Sequence, residues 1–203
     1  MLSPNIDKTG ILLSGGMDSI CLAYWKRPAY AFTINYGQKS AIAEIHAASQ
    51  IAKILSMKHY VINIDCSSLG TGDLSGNEQL SLAPASEWWP YRNQLLVTFA
   101  CMKGISIGLE KLIVGSVKTD SFHIDGSREF YEKINDLIKL QEGNIEIGCP
   151  ALNMSTVELI KESKIPISLL RWAHSCHTSN EPCMRCNGCR KYLYVMQELN
   201  EKQ

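Results

Sequence analysis

The chain has 203 residues, 45% of them hydrophobic and 20% charged, a composition typical of a globular protein with one domain or with one domain and a small appendage. Twenty basic residues balance twenty acidic ones, so bulk charge favours neither nucleic acid nor an anionic membrane as a partner. No apolar run approaches the roughly 18 residues needed to cross a bilayer, and residues 1–10 lack a basic segment followed by an apolar one. We therefore expect a cytoplasmic protein.

The first half of the chain predicts three strands separated by two helices. The apolar run at residues 11–13 predicts the first strand, and residues 20–25 have apolar side chains at helical spacing. Residues 30–35 have strand character, whereas residues 41–55 are again helical in their apolar spacing. Residues 60–64 predict the third strand. Such alternation is typical of a parallel sheet whose strands are joined by helices.

The second half continues the alternation after a long loop. Residues 66–90 are rich in Gly, Ser and Asn, which indicates a mobile or functional loop. A helix is predicted from residue 93 through the apolar stretch 95–109, and residues 111–115 predict a buried strand. The helices and strands of this region are expected to extend the same sheet.

The last predicted elements complete a doubly wound fold. Ser127 can cap a helix that leads to a fifth strand at residues 145–149. A capping box at residues 155–158 begins a short helix that ends before Pro166. We therefore predict an α/β fold with a five-stranded parallel sheet in the order 3-2-1-4-5, helices on both faces, and a C-terminal zinc knuckle. The ligand is expected at the carboxyl ends of strands 1 and 4, where this order switches direction.

The segment SGGMDS lies between the first predicted strand and the first predicted helix. Two adjacent glycines let the backbone approach an anion closely, and the free N–H groups at the start of the helix favour negative charge. The two serines add hydroxyl donors, and the aspartate can hold the Mg²⁺ of a di- or triphosphate or cap the helix. No Lys follows the glycines, which excludes a P-loop of the G-x-x-x-x-G-K-[ST] type, and on spacing alone a plain connection stays an alternative. The candidate phosphate-binding residues are Ser14, Gly15, Gly16, Asp18 and Ser19.

Four of the eight cysteines form a C-terminal motif with the spacing C-x6-C-x2-C-x2-C. Four thiols in a short segment with Gly and Asn are typical of a closed, structural zinc site, with a redox pair and an iron–sulfur cluster as the alternatives. The predicted zinc ligands are Cys176, Cys183, Cys186 and Cys189. His174 and His177 are expected to be neighbours of the metal and not ligands. The chain is accordingly divided into a nucleotide-binding α/β domain at residues 1–170 and a zinc-binding segment with a terminal helix at residues 171–203.

The glycine loop resembles the SGGxDS pyrophosphatase loop of the ATP-dependent adenylating enzymes, the group that includes GMP synthetase and asparagine synthetase. Together with the four-cysteine motif it is similar to the 7-cyano-7-deazaguanine synthase (QueC) family of queuosine biosynthesis. The resemblance implies that ATP adenylates the carboxylate of 7-carboxy-7-deazaguanine and that ammonia captures the acyl-adenylate as an amide. A second ATP then dehydrates the amide to a nitrile. The implied cofactors are ATP, Mg²⁺ and a structural Zn²⁺.

Segments between the two motifs carry further likenesses to that family. YGQ at residues 36–38 and PYRN at residues 90–93 are similar to its YGQ and PGRN segments, and residues 115–125 are similar to its loop of glycine and aspartates. The resemblance adds Tyr36, Gln38, Asn93 and Gly115 to the binding residues, and it adds Arg92, Asp120 and Asp125 to the catalytic ones. The Arg can clamp a carboxylate or phosphate, and the two aspartates can bind Mg²⁺ or the substrate amino group or only shape their turn. Trp88 and Trp89 can stack on a base or cover the core.

The chain departs from the family pattern at four places. Lys39 and Ser40 replace Arg-His after YGQ, Tyr91 replaces a Gly, and residues 123–126 replace a Tyr-Pro-Asp-Cys run. Thr156 stands where the family carries a Lys. Because that Lys would supply fixed positive charge to a phosphate leaving group, its loss predicts a reaction that stops at the amide.

Three functions follow from these patterns. The first is an ATP-dependent C–N ligase of the 7-cyano-7-deazaguanine synthase type, either AMP-forming or ADP-forming, that uses ammonia. The second is a diverged member, as found in bacterial antiviral gene clusters, that joins the deazaguanine to an amine of a partner protein. The third is a weakly catalytic ATP-binding subunit that serves as an interaction surface. A homodimer is compatible with all three.

Overall fold

A computed structural model of the protein describes residues 7–200. The sequence predictions that fall on residues 1–6 and 201–203 lie outside this range. The strands of the described part are Thr9–Leu12 (β1), Tyr30–Asn35 (β2), Lys58–Asn63 (β3), Lys111–Ile113 (β4) and Glu146–Gly148 (β5). The helices are Met17–Lys26 (α1), Ala41–Ile54 (α2), Gly72–Ser75 (α3), Arg92–Ile105 (α4), Arg128–Lys139 (α5), Thr156–Ser163 (α6), Ile167–Leu170 (α7) and Asn187–Asn200 (α8). Short 3₁₀ turns cover Ser67–Leu69, Lys118–Phe122 and Ile124–Gly126.

The five strands form one parallel sheet in the order β3-β2-β1-β4-β5, which confirms the predicted topology. In the centre of the sheet, Ile11 of β1 pairs with Ala31 of β2 on one side and with Ile113 of β4 on the other. The chain builds outward from β1 to β3 and then crosses to β4, so the connections after β1 and β4 run to opposite sides. This switch opens a crevice at the carboxyl ends of β1 and β4.

Helices cover both faces of the sheet because successive strand residues point to opposite faces. Ile11 and Ala31 belong to a core cluster with side chains of α1, α2, α6 and α8, whereas Phe32 and Leu112 belong to a second cluster with side chains of α4 and α5. Phe32 and Leu112 are fully buried, and full burial of one such side chain stabilises the fold by roughly 1.5–3 kcal/mol. The predicted helical layers on both faces are therefore confirmed.

The predicted helix caps are present as hydrogen bonds. Ser127 Oγ accepts from Phe130 N at 3.2 Å at the start of α5. In the capping box of α6, Ser155 Oγ accepts from Glu158 N at 3.2 Å, and Glu158 Oε2 accepts from Ser155 N at 2.7 Å. Each such cap stabilises its helix by about 1 kcal/mol. None of the helices within residues 7–200 combines the length and the hydropathy that crossing a membrane requires.

The long loop at residues 66–90 folds onto the second core cluster. Ser86 Oγ donates to Asp73 Oδ2 at 2.6 Å and Asp73 N donates to Ser86 O at 2.7 Å, so the two ends of the loop are tied together. Trp89 is only 2% exposed, and its ring lies edge-on to Tyr36 at a centroid distance of 4.9 Å. Trp89 therefore covers the core, as one of the two interpretations predicted.

Candidate active site

A cavity of about 300 Å³ lies at the carboxyl ends of three central strands. Leu13 follows β1, Ile34 is the last residue but one of β2 and Val114 follows β4, and all three line the cavity. This position coincides with the switch in strand order, where ligands of open α/β sheets bind.

The glycine loop forms one wall of the cavity between β1 and α1. Gly15 has φ +81°, and a Cβ there would lie 2.6 Å from the carbonyl oxygen of Glu44, so the backbone passes α2 too closely for any other residue. Gly16 precedes α1 with φ −77° and no side-chain cap, and a Cβ there would meet nothing nearer than 3.4 Å. The first-turn N–H groups of α1 are therefore available to an anion.

Two hydroxyls complete the glycine loop. Ser19 Oγ donates to Gly16 O at 2.9 Å and lies 3.1 Å from Ser14 Oγ, which accepts from Gly16 N at 3.3 Å. At the end of β4, a Cβ at Gly115 would lie only 3.1 Å from Ser19 Cα, so a small residue lets this strand approach the loop. Ser14, Gly16, Ser19 and Gly115 all line the cavity.

Charged side chains from three elements meet beside the glycine loop. Lys191 of α8 donates to Asp18 Oδ2 of α1 at 2.8 Å and lies 3.8 Å from Asp120 Oδ1. Burial alone lowers the pKa of Lys191, but the two carboxylates outweigh it and raise the pKa, so the amine keeps its charge. Asp18 Oδ1 is buried without a hydrogen-bond partner among residues 7–200. A free carboxylate oxygen next to a second carboxylate suits the oxygen ligation of Mg²⁺.

The start of α4 forms the opposite side of the cavity. Arg92, Asn93 and Tyr36 line it. Burial lowers the pKa of the Arg92 guanidinium, but Tyr36, Asp125 and Asp120 outweigh it and raise the pKa. Burial raises the pKa of Tyr36 far above its usual range, so its phenol stays protonated. A half-buried guanidinium with a phenol beside it is suited to holding an anionic group of a substrate.

Two predicted site residues, Asp125 and Gln38, do not line the cavity but form hydrogen bonds with residues that do. Asp125 Oδ2 accepts from Asn93 N at 3.2 Å, and Asn93 Nδ2 donates to the Asp125 carbonyl at 2.8 Å, so this pair joins α4 to the turn before α5. Gln38 accepts from Tyr36 N at 2.9 Å and donates to Glu44 Oε2 at 2.8 Å. Neither Gln38 nor Asp125 lines the cavity, and neither does Gly15.

The sulfur atoms of the four C-terminal cysteines lie within 4.8 Å of one another. Cys183 Sγ is 3.9 Å from Cys189 Sγ, and Cys186 Sγ is 4.0 Å from Cys176 Sγ, close to the spacing of about 3.8 Å that four Zn–S bonds of about 2.3 Å impose in a tetrahedron. The residues present therefore fit a zinc ion. The two neighbouring histidines are not part of the cluster.

Hydrogen bonds and burial act in opposite directions on these thiols. A hydrogen bond from the Thr178 hydroxyl, with backbone N–H groups from Arg185 and Cys186, lowers the pKa of Cys183 to about 5. Burial raises the pKa of Cys189 to about 12. Since four thiolates at these distances repel one another, a cation is needed to ionise the whole cluster.

The cysteine segment forms another wall of the same cavity. His174 N donates to Gly15 O at 2.9 Å, which joins this segment to the glycine loop. A Cβ at Gly188 would overlap the carbonyl of Ser175, so α8 begins in close contact with the chain before the first cysteine. The members of this wall that line the cavity are His174, Ser175, Cys176, His177, Gly188 and Lys191. Sequence reasoning did not assign Lys191 to the site, because nothing local pairs it with Asp18.

Comparisons with known proteins agree with the resemblance seen in the sequence. A family model described as "Queuosine biosynthesis protein QueC" matches residues 8–199. The 7-cyano-7-deazaguanine synthase of Methanobrevibacter smithii is 30% identical over 216 residues, which cover 94% of this chain and 94% of the relative. The 7-cyano-7-deazaguanine synthase 1 of Desulfitobacterium hafniense is 28% identical over 196 residues, which cover 90% of this chain and 88% of the relative.

Among solved structures, that of NMN synthetase from Francisella tularensis matches with a TM-score of 0.47 and 17% identity, over 98% of this chain and 79% of that one. The family match includes the whole sheet, the glycine loop and the cysteine cluster. The chain belongs to the QueC family.

Proposed function

We propose that this protein uses ATP to activate the carboxylate of 7-carboxy-7-deazaguanine and then joins its carbon to nitrogen. The proposal draws on the relatives named 7-cyano-7-deazaguanine synthase. One observation carries it: the glycine loop, the unpartnered oxygen of Asp18 and the guanidinium of Arg92 face one cavity. A phosphate-binding loop opposite a cation that holds a carboxylate is the arrangement that adenylation needs.

Different residues of the cavity would bind the pyrophosphate, hold the Mg²⁺ and orient the carboxylate during adenylation. A carboxylate oxygen attacks the α-phosphorus of ATP, and the bond to the β-phosphate oxygen breaks to release pyrophosphate. The N–H groups at the start of α1 and the hydroxyls of Ser14 and Ser19 would bind the pyrophosphate. Asp18 would hold the Mg²⁺ that accompanies it, and Arg92 would orient the attacking carboxylate. Ammonia then attacks the acyl carbon, loses a proton and expels AMP, which leaves an amide.

The remaining part of the cavity suits a flat heterocycle. Phe32, Ile34, Leu96 and Val114 line it with apolar surface next to the polar groups. A pocket that is apolar on one side and bears a few directed polar groups on the other is typical of small-molecule sites. We assign this apolar side to the deazaguanine ring.

We assign Zn²⁺ to the four-cysteine cluster. The ion would supply positive charge that ionises the four thiols and closes a tetrahedral shell, which leaves no position for a substrate. Its role is therefore structural, and it marks residues 171–203 as the zinc-binding segment of the proposed two-part organisation.

We further propose that the reaction ends at the amide. Nitrile formation requires a second activation, in which the amide oxygen, a poor nucleophile, attacks a second ATP, and this step depends most on fixed positive charge. Thr156, which is 4% exposed at the start of α6, has an uncharged side chain, so this position supplies no fixed positive charge.

The test is an incubation of the full chain with ATP and 7-carboxy-7-deazaguanine, with and without ammonium, followed by mass spectrometry. We expect exchange of pyrophosphate into ATP that depends on the substrate. We also expect the amide to form with ammonium and the nitrile not to form. Asp18→Ala should abolish exchange while the circular dichroism spectrum is unchanged. Absence of exchange in the wild type would overturn the proposed function. Accumulation of 7-cyano-7-deazaguanine would show that Thr156 in place of Lys does not prevent nitrile formation. If the nitrile is absent, Thr156→Lys tests whether it can be gained.

A second candidate nucleophile is an amine of a partner protein. Tyr91, Phe122 and Ile124 are 77%, 66% and 87% exposed, and their segments are joined by the hydrogen bonds between Asn93 and Asp125 beside the cavity. Exposed apolar side chains next to a reactive site suit protein docking. In the incubation without ammonium, this candidate predicts a protein whose mass increases by the deazaguanine acyl group. A mere ATP-binding subunit would release no burst of AMP.

A further inference from the structure

We propose that Lys191 is a catalytic residue that binds the phosphates of the nucleotide, and that the four-cysteine cluster holds it in position. The inference rests on the proposed function only in requiring that the cavity binds ATP. It assigns to the C-terminal segment a direct part in nucleotide binding, in addition to a structural one.

The basic side chains that line the cavity indicate which group lies nearest to a bound triphosphate. Among the described residues on its wall, the Lys and Arg side chains are Arg92 and Lys191. Arg92 lies beside Tyr36 and Asp125 at the start of α4, whereas Lys191 lies beside Asp18 in the first turn of α1. The glycine loop itself contains no Lys or Arg. A triphosphate on this loop therefore has one ammonium group next to it, which is that of Lys191.

The geometry distinguishes Lys191 from a surface ion pair. The side chains of Lys191 and Asp18 are 34% and 17% exposed, and the second carboxylate, that of Asp120, is also near the ammonium. Because both side chains are partly buried, water and salt screen this pair between α8 and α1 less than they screen an exposed pair. An anion bound at the N–H groups of residues 16–19 lies next to Asp18, so Lys191 Nζ, which is 2.8 Å from Asp18 Oδ2, is within reach of it.

The cysteine cluster fixes the backbone position from which the Lys191 side chain extends to the cavity. Cys189 is two residues before it in the first turn of α8, and Cys186 directly precedes this helix. Cys189 N donates to Cys186 Sγ at 3.5 Å and Cys186 N donates to Cys183 Sγ at 3.4 Å, so the sulfurs also order the backbone. A shift of α8 by one residue would rotate Lys191 by about 100° away from the cavity.

The test compares the binding of ATP, pyrophosphate and AMP to the full-length zinc-bound chain by calorimetry. Lys191→Ala should weaken ATP and pyrophosphate binding by about tenfold or more, as expected for loss of a charge-assisted contact, while AMP binding changes by less than about threefold. Lys191→Arg should restore most of the affinity, because it keeps the charge. The matched control is Arg190→Ala, which removes an exposed neighbouring cation of α8 and should leave all three affinities unchanged.

Zinc content and melting temperature are measured on each variant. Unchanged ATP affinity in Lys191→Ala would overturn the proposal, and so would an equal loss for ATP and AMP. If Lys191→Ala loses zinc and Lys191→Arg does not restore it, the residue has a structural role. That result would also overturn the proposal. If the wild type binds ATP yet shows no exchange with 7-carboxy-7-deazaguanine, the proposed function fails while the inference about Lys191 stands on its own binding data.

Discussion

Two walls of the same cavity are held in place by different means. The glycine loop follows β1, and its neighbours Ile11, Leu13 and Ile20 are fully buried in the first core cluster. The hydroxyl of Thr33 also donates to Leu13 O at 2.6 Å, which fixes the point where the loop leaves the sheet. The wall made by residues 174–191 instead has its buried cysteines in a separate small cluster. The first wall therefore shares the stability of the whole domain, and the second depends on its sulfur atoms.

Polar contacts join the two walls. They include the hydrogen bond from His174 N to Gly15 O and the ion pair of Lys191 with Asp18. Hydrogen bonds of this kind contribute only about 1 kcal/mol each, which is too little to order a segment whose metal is missing. Disruption of the cysteine wall should therefore leave the sheet folded and the site incomplete.

The largest expected effect comes from Cys183→Ser. The wild type should contain about one zinc per chain, and the variant should lose it, because binding of the ion and folding of the segment are coupled. We expect lower solubility, proteolytic cleavage within residues 174–191 and loss of pyrophosphate exchange, with the far-ultraviolet spectrum of the α/β core retained. Metal analysis and limited proteolysis measure this.

The control for that variant is Cys149→Ser, which alters a cysteine outside the cluster and should keep the zinc. Full zinc content in Cys183→Ser would point to other ligands. Loss of the far-ultraviolet spectrum together with the zinc would show that the α/β core does not stay folded without the cysteine wall.

An intermediate effect is expected within the first wall, where adjacent glycines serve different ends. Gly16→Val should abolish pyrophosphate exchange without lowering the melting temperature appreciably, because a Cβ there makes only ordinary van der Waals contacts, at 3.4 Å from Ser14 Oγ and 3.9 Å from His174 O, while the branched side chain obstructs the anion site. Gly15→Ala should instead cost about 2 kcal/mol or more of folding free energy, since it strains a positive φ and collides with Glu44 O. Thermal unfolding and ATP binding, measured on both variants, separate the two roles. Equal destabilisation by the two substitutions would contradict this separation of roles between Gly15 and Gly16.

The sequence predicted the long elements of the sheet layer and the four clustered cysteines of the second wall, but it missed the short helices and the pairing between the two walls. Apolar periodicity located β2 at residues 30–35 and α2 to within one residue, because long elements repeat their pattern several times. The helices α3 and α7 have four residues each, too few for a period, and sequence reasoning missed them. The ion pair between Asp18 and Lys191 was also missed, because 173 positions separate its members and only the folded chain brings them together.

The smallest expected effect concerns the turn that places Arg92 on the side of the cavity opposite the glycine loop. Tyr91 has φ +56°, a left-handed conformation that disfavours every residue with a Cβ, and its side chain is 77% exposed. The family pattern has Gly at this position, so Tyr91→Gly should raise stability by about 1 kcal/mol and the melting temperature by about 2–4 °C. Zinc content and ATP affinity should be unchanged. Tyr91→Ala, which removes the ring and keeps the strained backbone, should bring no gain, and if it stabilises the protein as much as Tyr91→Gly does, the aromatic ring and not the backbone is the source of the strain.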